Sequence, residues 1–170
     1  MSYLLSLSIG PVQPFIEAAR RTADLTAGSE LLVEIAKAMA RRIASTPNST
    51  LIFPADPEKD GPNKILAEVS GNPQEIAEAA RDAAQLVLED AWAEALKAVG
   101  ADHVRTDLAK KQITSFLEFY AAWLPVNGDY AAARVHVEAE ATALARLEPE
   151  RLETQPGLAR LAFDRTPGVL

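Results

Sequence analysis

The sequence predicts an α+β fold built on the order β-α-β-β-α-β. Three observations predict it. An apolar, strand-like run opens the chain, and two short strand-like segments lie in its first half. An aromatic-rich strand-like segment comes later, and helical patterns occupy the long intervals between the strands. This order is that of a ferredoxin-like fold, an antiparallel four-stranded sheet with helices on one face, to which additional helices are added here.

The first strand and the first helix follow from residues 3 to 42. Tyr3–Ile9 (YLLSLSI) is apolar except for two serines and is closed by Gly10 and Pro11, which predicts a buried central strand. From residue 13 onward apolar residues recur at helical spacing. Because Gly28 interrupts this pattern, we expect a helix that is broken or kinked there.

A hairpin and a second helix come next. Leu51–Phe53 and Lys64–Val69 read as two strands joined by a long polar turn. Asn72 is a good helix cap, Pro73 suits the first helical position, and an apolar stripe continues to Gly100. This is the clearest helix start in the sequence.

The last part of the chain supplies the fourth strand. The pattern predicts a shorter helix over Ala101–Lys111 and a further helix over Tyr130–Leu147. Between them, a segment within Ser115–Leu124 is predicted to form the last strand. Residues 148–170 are charged, contain prolines and are only weakly patterned. We therefore expect a ferredoxin-like domain over residues 1–147 and a carboxy-terminal extension over residues 148–170.

Composition limits the function classes. The 170 residues include no cysteine, which removes thiolate metal sites, thiol nucleophiles and disulfides. The net charge of −7 argues against autonomous binding to nucleic acid, which needs a basic surface. The opening residues do not resemble a secretion signal, and no apolar run approaches the roughly 20 residues that span a bilayer. These features predict a cytoplasmic protein without a membrane partner.

The usual catalytic signatures are missing from the sequence. His103 and His136 each lack a second histidine at helical spacing, and no phosphate-binding loop or nucleophile elbow occurs. Polymerases and cyclases built on this fold hold two metals with carboxylates at the end of the first strand and in the central hairpin. Here the first strand ends in Ser8-Ile9-Gly10, and the hairpin has no tight turn with paired aspartates. The sequence predicts no catalytic residue, no metal ligand and no turnover by the chain alone.

The segment Ser8–Leu32 (SIGPVQPFIEAARRTADLTAGSELL) stands out. Gly10 and Pro11 permit a sharp turn from strand to helix, and backbone amides at the following helix start can hold an anion. Arg20 and Arg21 add positive charge on the first helix. From these residues alone, an ordinary β-α connection with solvated arginines is the simpler interpretation.

The same segment resembles the amino-terminal, palm-like domain of the large subunit of Cmr-type (type III-B) CRISPR effector complexes. In that family the form S-I-G-P-V-Q-x-F-I-x-x-A-R-[RK]-T-x-D-L-W-x-G-S-x-L-L recurs. The matching positions are Gly10, Pro11, Val12, Gln13, Phe15, Ile16, Ala19, Arg20, Thr22, Asp24, Leu25, Gly28, Ser29, Leu31 and Leu32. Weaker similarity extends to about residue 145.

The resemblance implies a function that composition and spacing do not reveal. The family's large subunit pairs two cyclase-like palms, of which the second carries a G-G-D-D motif and makes cyclic oligoadenylate from ATP for antiviral defence. The first palm is non-catalytic and closes over the nucleotide. By resemblance, Ser29 contacts the base, Gly10, Pro11 and Gln13 shape the adjacent wall, and Arg20 is a weaker candidate.

Cofactors and partners follow from the same resemblance. The resemblance implies no cofactor for the chain alone. It implies that ATP with magnesium binds only in a complete complex. The implied partners are the second palm and other effector subunits, with guide and target RNA contacted only indirectly. The family's nuclease domain, G-G-D-D palm and cysteine-rich element are not in these 170 residues, so a natural fragment, a split subunit and a redesigned domain all stay open.

The sequence also departs from the family. Thr26 stands where the family usually has tryptophan, and Glu30 stands where it often has a large aromatic residue. The acidic stretch Leu147–Glu150 replaces a stretch that is expected to be basic. Such changes suit a surface that stands alone. Two alternatives therefore stay open: a self-contained nucleotide-binding or nucleotidyl transferase domain using carboxylates such as Asp24 and Asp129, and an interaction domain without a nucleotide.

Overall fold

A computed structural model describes residues 1–10, 12, 17, 19–60, 63–114, 116–126, 130–144 and 158–159. Its strands are β1 (Ser2–Gly10), β2 (Thr50–Phe53), β3 (Lys64–Ser70), β4 (Glu118–Pro125) and β5 (Leu158–Ala159). Its helices are α1 (Thr22–Ala44), α2 (Pro73–Val99), α3 (Thr106–Thr114) and α4 (Tyr130–Leu144), with a 3₁₀ turn at Ala101–His103 between α2 and α3.

The sheet has the strand order β2-β3-β1-β4-β5, and every neighbouring pair is antiparallel. Its first four strands have the ferredoxin-like order, which confirms the predicted fold class. As predicted, β1 lies inside the sheet, with Leu5 paired to Ala67 of β3 on one side and to Trp123 of β4 on the other. The short β5, which the sequence did not predict, borders β4.

The main core lies between the sheet and the helices α1 and α2. Alternate residues of β1 point into it, and they meet the buried stripes of the two helices and Phe119 of β4. The helix residues in this core are Leu32, Ile35, Met39, Ala40, Ile43, Ile76, Ala77, Ala80, Ala84 and Leu88. This packing holds β1 and α1 in fixed positions at the end of the sheet where Gly10 lies.

A second, smaller core lies on the opposite face of the sheet, beneath α4. Leu4 of β1 and Tyr120 of β4 pack there against Val137 and Ala141 of the helix. Helices therefore cover both faces, which corrects the expectation of one covered face. The physical reason is that β1 is apolar on both sides, with Leu4, Leu5 and Leu7 fully buried, so both faces need a cover.

The helix α1 is not broken at Gly28. It runs without interruption from Thr22 to Ala44, whereas Ala19 to Arg21 lie outside helical structure. A single glycine costs only about 1 kcal/mol in a helix, which the packing of the following turns outweighs. Arg20 and Arg21 precede α1 and do not lie on it, contrary to the sequence interpretation.

The helix α2 begins and ends as predicted. The backbone N–H of Gln74 donates to the Asn72 side chain at 3.1 Å, and Pro73 occupies the first helical position. At the other end Gly100 has φ +87°, a conformation that favours glycine, and its N–H donates to the Leu96 carbonyl at 2.9 Å. No helix in the described ranges is long and apolar enough to cross a bilayer.

Ion pairs connect α4 to the sheet. Arg134 donates to Glu138 within the helix at 3.1 Å, and Lys64 of β3 lies 3.6 Å from the other oxygen of that carboxylate. Arg134 and, secondarily, Lys64 lower the pKa of the Glu138 carboxyl. Because this pKa is lower in the folded state, the ionised carboxyl adds stability at pH values above the ordinary glutamate pKa of about 4.5. This stability is lost as the pH falls through the lowered pKa.

Replacing Glu138 is expected to remove this pH dependence. Glu138→Gln should lower the free energy of unfolding by about 0.5 kcal/mol at pH 7, the usual size for a partly exposed pair. The difference from the parent should disappear once the pH is below the lowered pKa, which denaturant titrations between about pH 2.5 and 7 would measure. Glu94→Gln, at an exposed site on α2, is the control. A constant difference at every pH would contradict the assignment.

Candidate functional site

The candidate site lies where β1 ends and α1 begins. Asn63 fixes this end of the strand through two hydrogen bonds with Ile9. Its side-chain amide donates to the Ile9 carbonyl at 2.9 Å, and its backbone carbonyl accepts from the Ile9 N–H at 3.0 Å. Gly10, the last residue of β1, follows directly. The position from which the chain leaves the sheet is therefore set by two hydrogen bonds between Ile9 and Asn63.

Gly10 lies beside two polar side chains of β4. It pairs with Glu118 across the strands, and the next pair on the same face is Ser8 with Tyr120. The Tyr120 hydroxyl donates to Glu118 Oε2 at 2.7 Å. A Cβ at Gly10 would meet that same oxygen at 3.5 Å and the Tyr120 ring at 3.8 Å, which are ordinary contacts. The packing of the described residues therefore does not require a glycine here.

The side chains beside Gly10 favour a ligand group that is neutral or carries hydrogen-bond donors. Glu118 is a half-buried carboxylate whose hydrogen bond from Tyr120 fixes its orientation. A carboxylate accepts hydrogen bonds from ribose hydroxyls or amino groups, and it repels phosphate. The face of Gly10 next to Glu118 therefore suits a hydrogen-bond donor better than an anionic group.

The first turns of α1 project beyond the core. Residues 22–27 are exposed, as are Ser29 and Glu30, and the first buried residue of the helix is Leu32. The exposed part includes Leu25, at 40% exposure. Thr26 and Glu30 are four residues apart and so lie on one side of the helix. The exposure of both residues agrees with the interpretation that their departures from the family suit a surface that stands alone.

Local hydrogen bonds occupy part of this helix start. The backbone N–H of Arg21 donates to the Asp24 carboxylate at 3.1 Å, and the Thr26 hydroxyl donates to the Thr22 carbonyl at 3.1 Å. The Asp24 carboxylate complements the positive end of the helix dipole. Asp24 therefore has a structural role as a capping side chain, and it weakens the attraction of this helix start for an anion.

The predicted site residues lie on two sides of the sheet. Ser29 is on α1, which covers one face, whereas the Cβ direction of Gly10 points with Glu118 and Tyr120 towards the face covered by α4. Arg20 is exposed in the connection before α1. Pro11 and Gln13 lie outside the described residues. A ligand that contacts both Ser29 and Gly10 must reach around the end of β1.

The other candidates do not form a metal centre. His103 is exposed, and His136 is exposed with its Nδ1 2.8 Å from the Ala132 carbonyl of its own helix. Across the ranges that the structure describes, no three His, Cys, Asp or Glu side chains are grouped so that they could hold a metal ion. Asp129, named with Asp24 in the nucleotidyl transferase alternative, lies outside the described residues.

Sequence reasoning missed Glu118, Tyr120 and the positioning role of Asn63. The signal for the first two was the strand pattern of Glu118–Pro125, which places both side chains on one face. Only the register of β4 against β1 shows that this face meets Gly10. A single sequence does not give that register.

The family comparison decides the assignment of the chain. The sequence pattern of the family described as CRISPR-associated protein Cmr2, N-terminal, matches residues 4–118, more than half of the chain. The chain belongs to this family. No match was found among curated proteins.

The Cmr2 match covers the elements that build the candidate site. It runs from β1 to the first residue of β4, so it includes Gly10, Ser29, Asn63 and Glu118. The helix α4 and the strand β5 lie beyond the matched residues. The chain is thus a domain of a type III CRISPR effector subunit that works within a complex of several subunits.

Proposed function

We propose that this domain is a non-catalytic palm of the effector large subunit, which acts as a scaffold and forms one wall of an ATP pocket. A second palm, bearing the G-G-D-D motif, completes the pocket and performs the chemistry with magnesium. The observation that carries the proposal is the Cmr2 family match across β1 and α1, together with the exposed first turns of α1.

The exposed turns of α1 suit an interface with another protein domain. A helix end that carries Leu25, Thr26, Ser29 and Glu30 and has no buried residue before Leu32 contributes little to the domain's own core. Its length is better explained by contacts made in a complex, where a second palm or another effector subunit covers it. Guide and target RNA act on this domain only through those subunits.

The wall of the pocket combines the residues named from the sequence with those found in the structure. Ser29 supplies a hydroxyl for the base, and the family resemblance assigns Gly10, Pro11 and Gln13 to the adjacent wall. Glu118 supplies an acceptor for a ribose hydroxyl or an amino group. Arg20 is a basic side chain at this end, and it adds attraction for the phosphates.

A reconstituted complex tests this function. The chain is mixed with a second-palm polypeptide that carries G-G-D-D, and ATP affinity is measured by calorimetry with magnesium present. Ser29→Ala should weaken ATP binding by roughly 2- to 13-fold, because one hydrogen bond contributes about 0.5–1.5 kcal/mol. Equal affinity for the parent and Ser29→Ala would contradict the role of Ser29, and no ATP binding by the mixture would contradict the pocket itself.

The matched control is Ser45→Ala. Ser45 follows the same helix at its other end, roughly 24 Å from Ser29 at 1.5 Å per residue. It is exposed, as Ser29 is. This variant should bind ATP as the parent does, which separates a site effect from a general effect on α1.

A further inference from the structure

The turn between β2 and β3 is attached to α1 by charged side chains. None of residues 54–60 is buried, so apolar packing contributes little to the position of this turn. The turn carries three carboxylates, at Asp56, Glu58 and Asp60, and α1 contributes the basic residues Lys37 and Arg41. The attachment therefore depends on the ion pairs between these two groups.

Arg41 binds Glu58 with two nitrogens of its guanidinium group. Its Nε donates to Glu58 Oε1 at 2.7 Å, and its Nη2 donates to Oε2 at 2.6 Å. Such bidentate pairs have a better defined geometry than ordinary surface ion pairs. The hydrogen bonds from Arg41 lower the pKa of the Glu58 carboxyl, so the carboxyl is ionised at neutral pH.

Lys37 makes a second attachment one turn earlier in the helix. Its Nζ lies 2.8 Å from Asp60 Oδ1 and 3.2 Å from Glu34 Oε1, and its side chain is only 16% exposed. Hydrogen bonds to Asp60 and Glu34 raise the pKa of the Lys37 ammonium group. Glu34 also lies 3.9 Å from Arg41. The two attachments thus belong to one network, which holds a surface segment better than an isolated pair does.

The turn has its own hydrogen bonds between the two attachments. The backbone N–H of Glu58 donates to the Asp56 carboxylate at 2.9 Å. The backbone N–H of Lys59 donates to the Asp56 carbonyl at 3.2 Å. Aspartate side chains commonly stabilise turns in this way. Residues 56–60, which we call the strap, are therefore held together by local bonds as well as to α1.

The strap is followed closely by the residue that fixes the end of β1. Asn63 comes three residues after Asp60 and makes two hydrogen bonds with Ile9. Three residues of extended chain span at most about 11 Å. The position of Asp60 therefore restricts that of Asn63, and through Asn63 that of Ile9 and Gly10.

We propose that Lys37 and Arg41 are positioning residues, which hold the Gly10 end of β1 in place through the strap and Asn63. The ion pairs fix the strap on α1, and the two hydrogen bonds of Asn63 pass this constraint to the strand. The arrangement joins the outside of α1 to the end of the sheet by a route that does not pass through the core.

The proposal adds a positioning device to the candidate site. The helix α1 carries Ser29 and the strand β1 ends at Gly10, so the strap fixes one of these elements relative to the other. The inference rests on the proposed function only in treating Gly10 as part of a pocket wall. The contacts that carry it involve no nucleotide.

Hydrogen exchange at the Ile9 amide tests the strap, because this N–H donates to the Asn63 carbonyl. Exchange at the end of a strand reports local opening. Arg41→Gln and Glu58→Gln should each speed this exchange about 2- to 5-fold, as expected for a well-formed surface pair. The double variant should exchange no faster than either single variant, since both substitutions break the same contact. Lys37→Gln should act in the same direction.

The chain offers two matched controls. Arg42, the next residue of α1, donates to the Thr46 hydroxyl at 3.3 Å, and Arg42→Gln should leave exchange at Ile9 unchanged. The Val126 amide donates to the Ser2 carbonyl at 3.0 Å, at the opposite end of β1. Its exchange rate should not respond to Arg41→Gln.

Three results would each overturn the proposal. These are unchanged exchange at Ile9 in Arg41→Gln, an equal increase at Val126, which would indicate a general loss of stability, and effects that multiply in the double variant. The proposed function fails in a different way. Faster exchange at Ile9, combined with an unchanged ATP affinity when Arg41→Gln is mixed with the second palm, would keep the strap and remove Gly10 from the pocket wall.

Discussion

Phe119→Ala is expected to destabilise the domain by about 3–5 kcal/mol, a large part of the stability of an ordinary domain. Phe119 is 1% exposed and lies in the main core between β4 and the helices α1 and α2. The substitution removes an aromatic ring and leaves a cavity that close-packed neighbours fill only in part. Urea unfolding followed by circular dichroism would show a lower midpoint with an unchanged slope.

Phe53→Ala is the matched control for this substitution. Phe53 lies on the edge strand β2 and is 43% exposed. The same chemical change should cost only about 1 kcal/mol there, because little packing is lost. Similar losses for the two variants would contradict the core assigned to β4.

A second large effect is expected from the exposed turns of α1. The double variant Thr26→Trp with Glu30→Tyr places two aromatic side chains where the family usually carries large ones, on one side of the projecting helix. At ~25 cal/mol per Å² and ~150–250 Å² for each aromatic, the drive to cover them reaches several kcal/mol before entropy losses. The double variant should therefore self-associate or lose solubility in sedimentation experiments.

The control changes the same two positions without adding aromatic area. Thr26→Ala with Glu30→Ala should stay in the parent's association state with nearly unchanged stability, since both residues are exposed. If the aromatic double variant sediments as the parent does, this side of α1 is not a surface that a partner covers.

The sequence predicted those elements whose evidence is local. The run Tyr3–Ile9 is apolar on both of its faces, which is enough to predict a central strand. The cap at Asn72 and the glycine at Gly100 fixed the ends of α2 in the same way. The β-α-β-β-α-β order then followed from counting elements.

The errors concern features that depend on tertiary packing. Gly28 was expected to break or kink α1, but the helix runs through it, because the buried stripe from Leu32 to Ile43 outweighs the local cost of one glycine. The contacts of α4 with β1 on the second face and the pairing of β5 with β4 join elements far apart in sequence. Periodicity within a short window does not report them.

The candidate site could be predicted only in part for the same reason. The family resemblance named Gly10, Arg20 and Ser29, and the structure describes all three at the end of β1 and the start of α1. It did not show that the Cβ direction of Gly10 and the helix that carries Ser29 are on opposite faces of the sheet, nor that Glu118 lies beside Gly10, because both facts depend on strand register.

The measurement that tests the central claim most directly is pyrophosphate release from ATP and magnesium, by the chain alone and by the chain mixed with the second palm. We expect no release by the chain alone and release by the mixture, together with cyclic products when target RNA and the other subunits are present. Turnover by the chain alone, abolished by replacing one of its own carboxylates, would contradict the account of a non-catalytic palm.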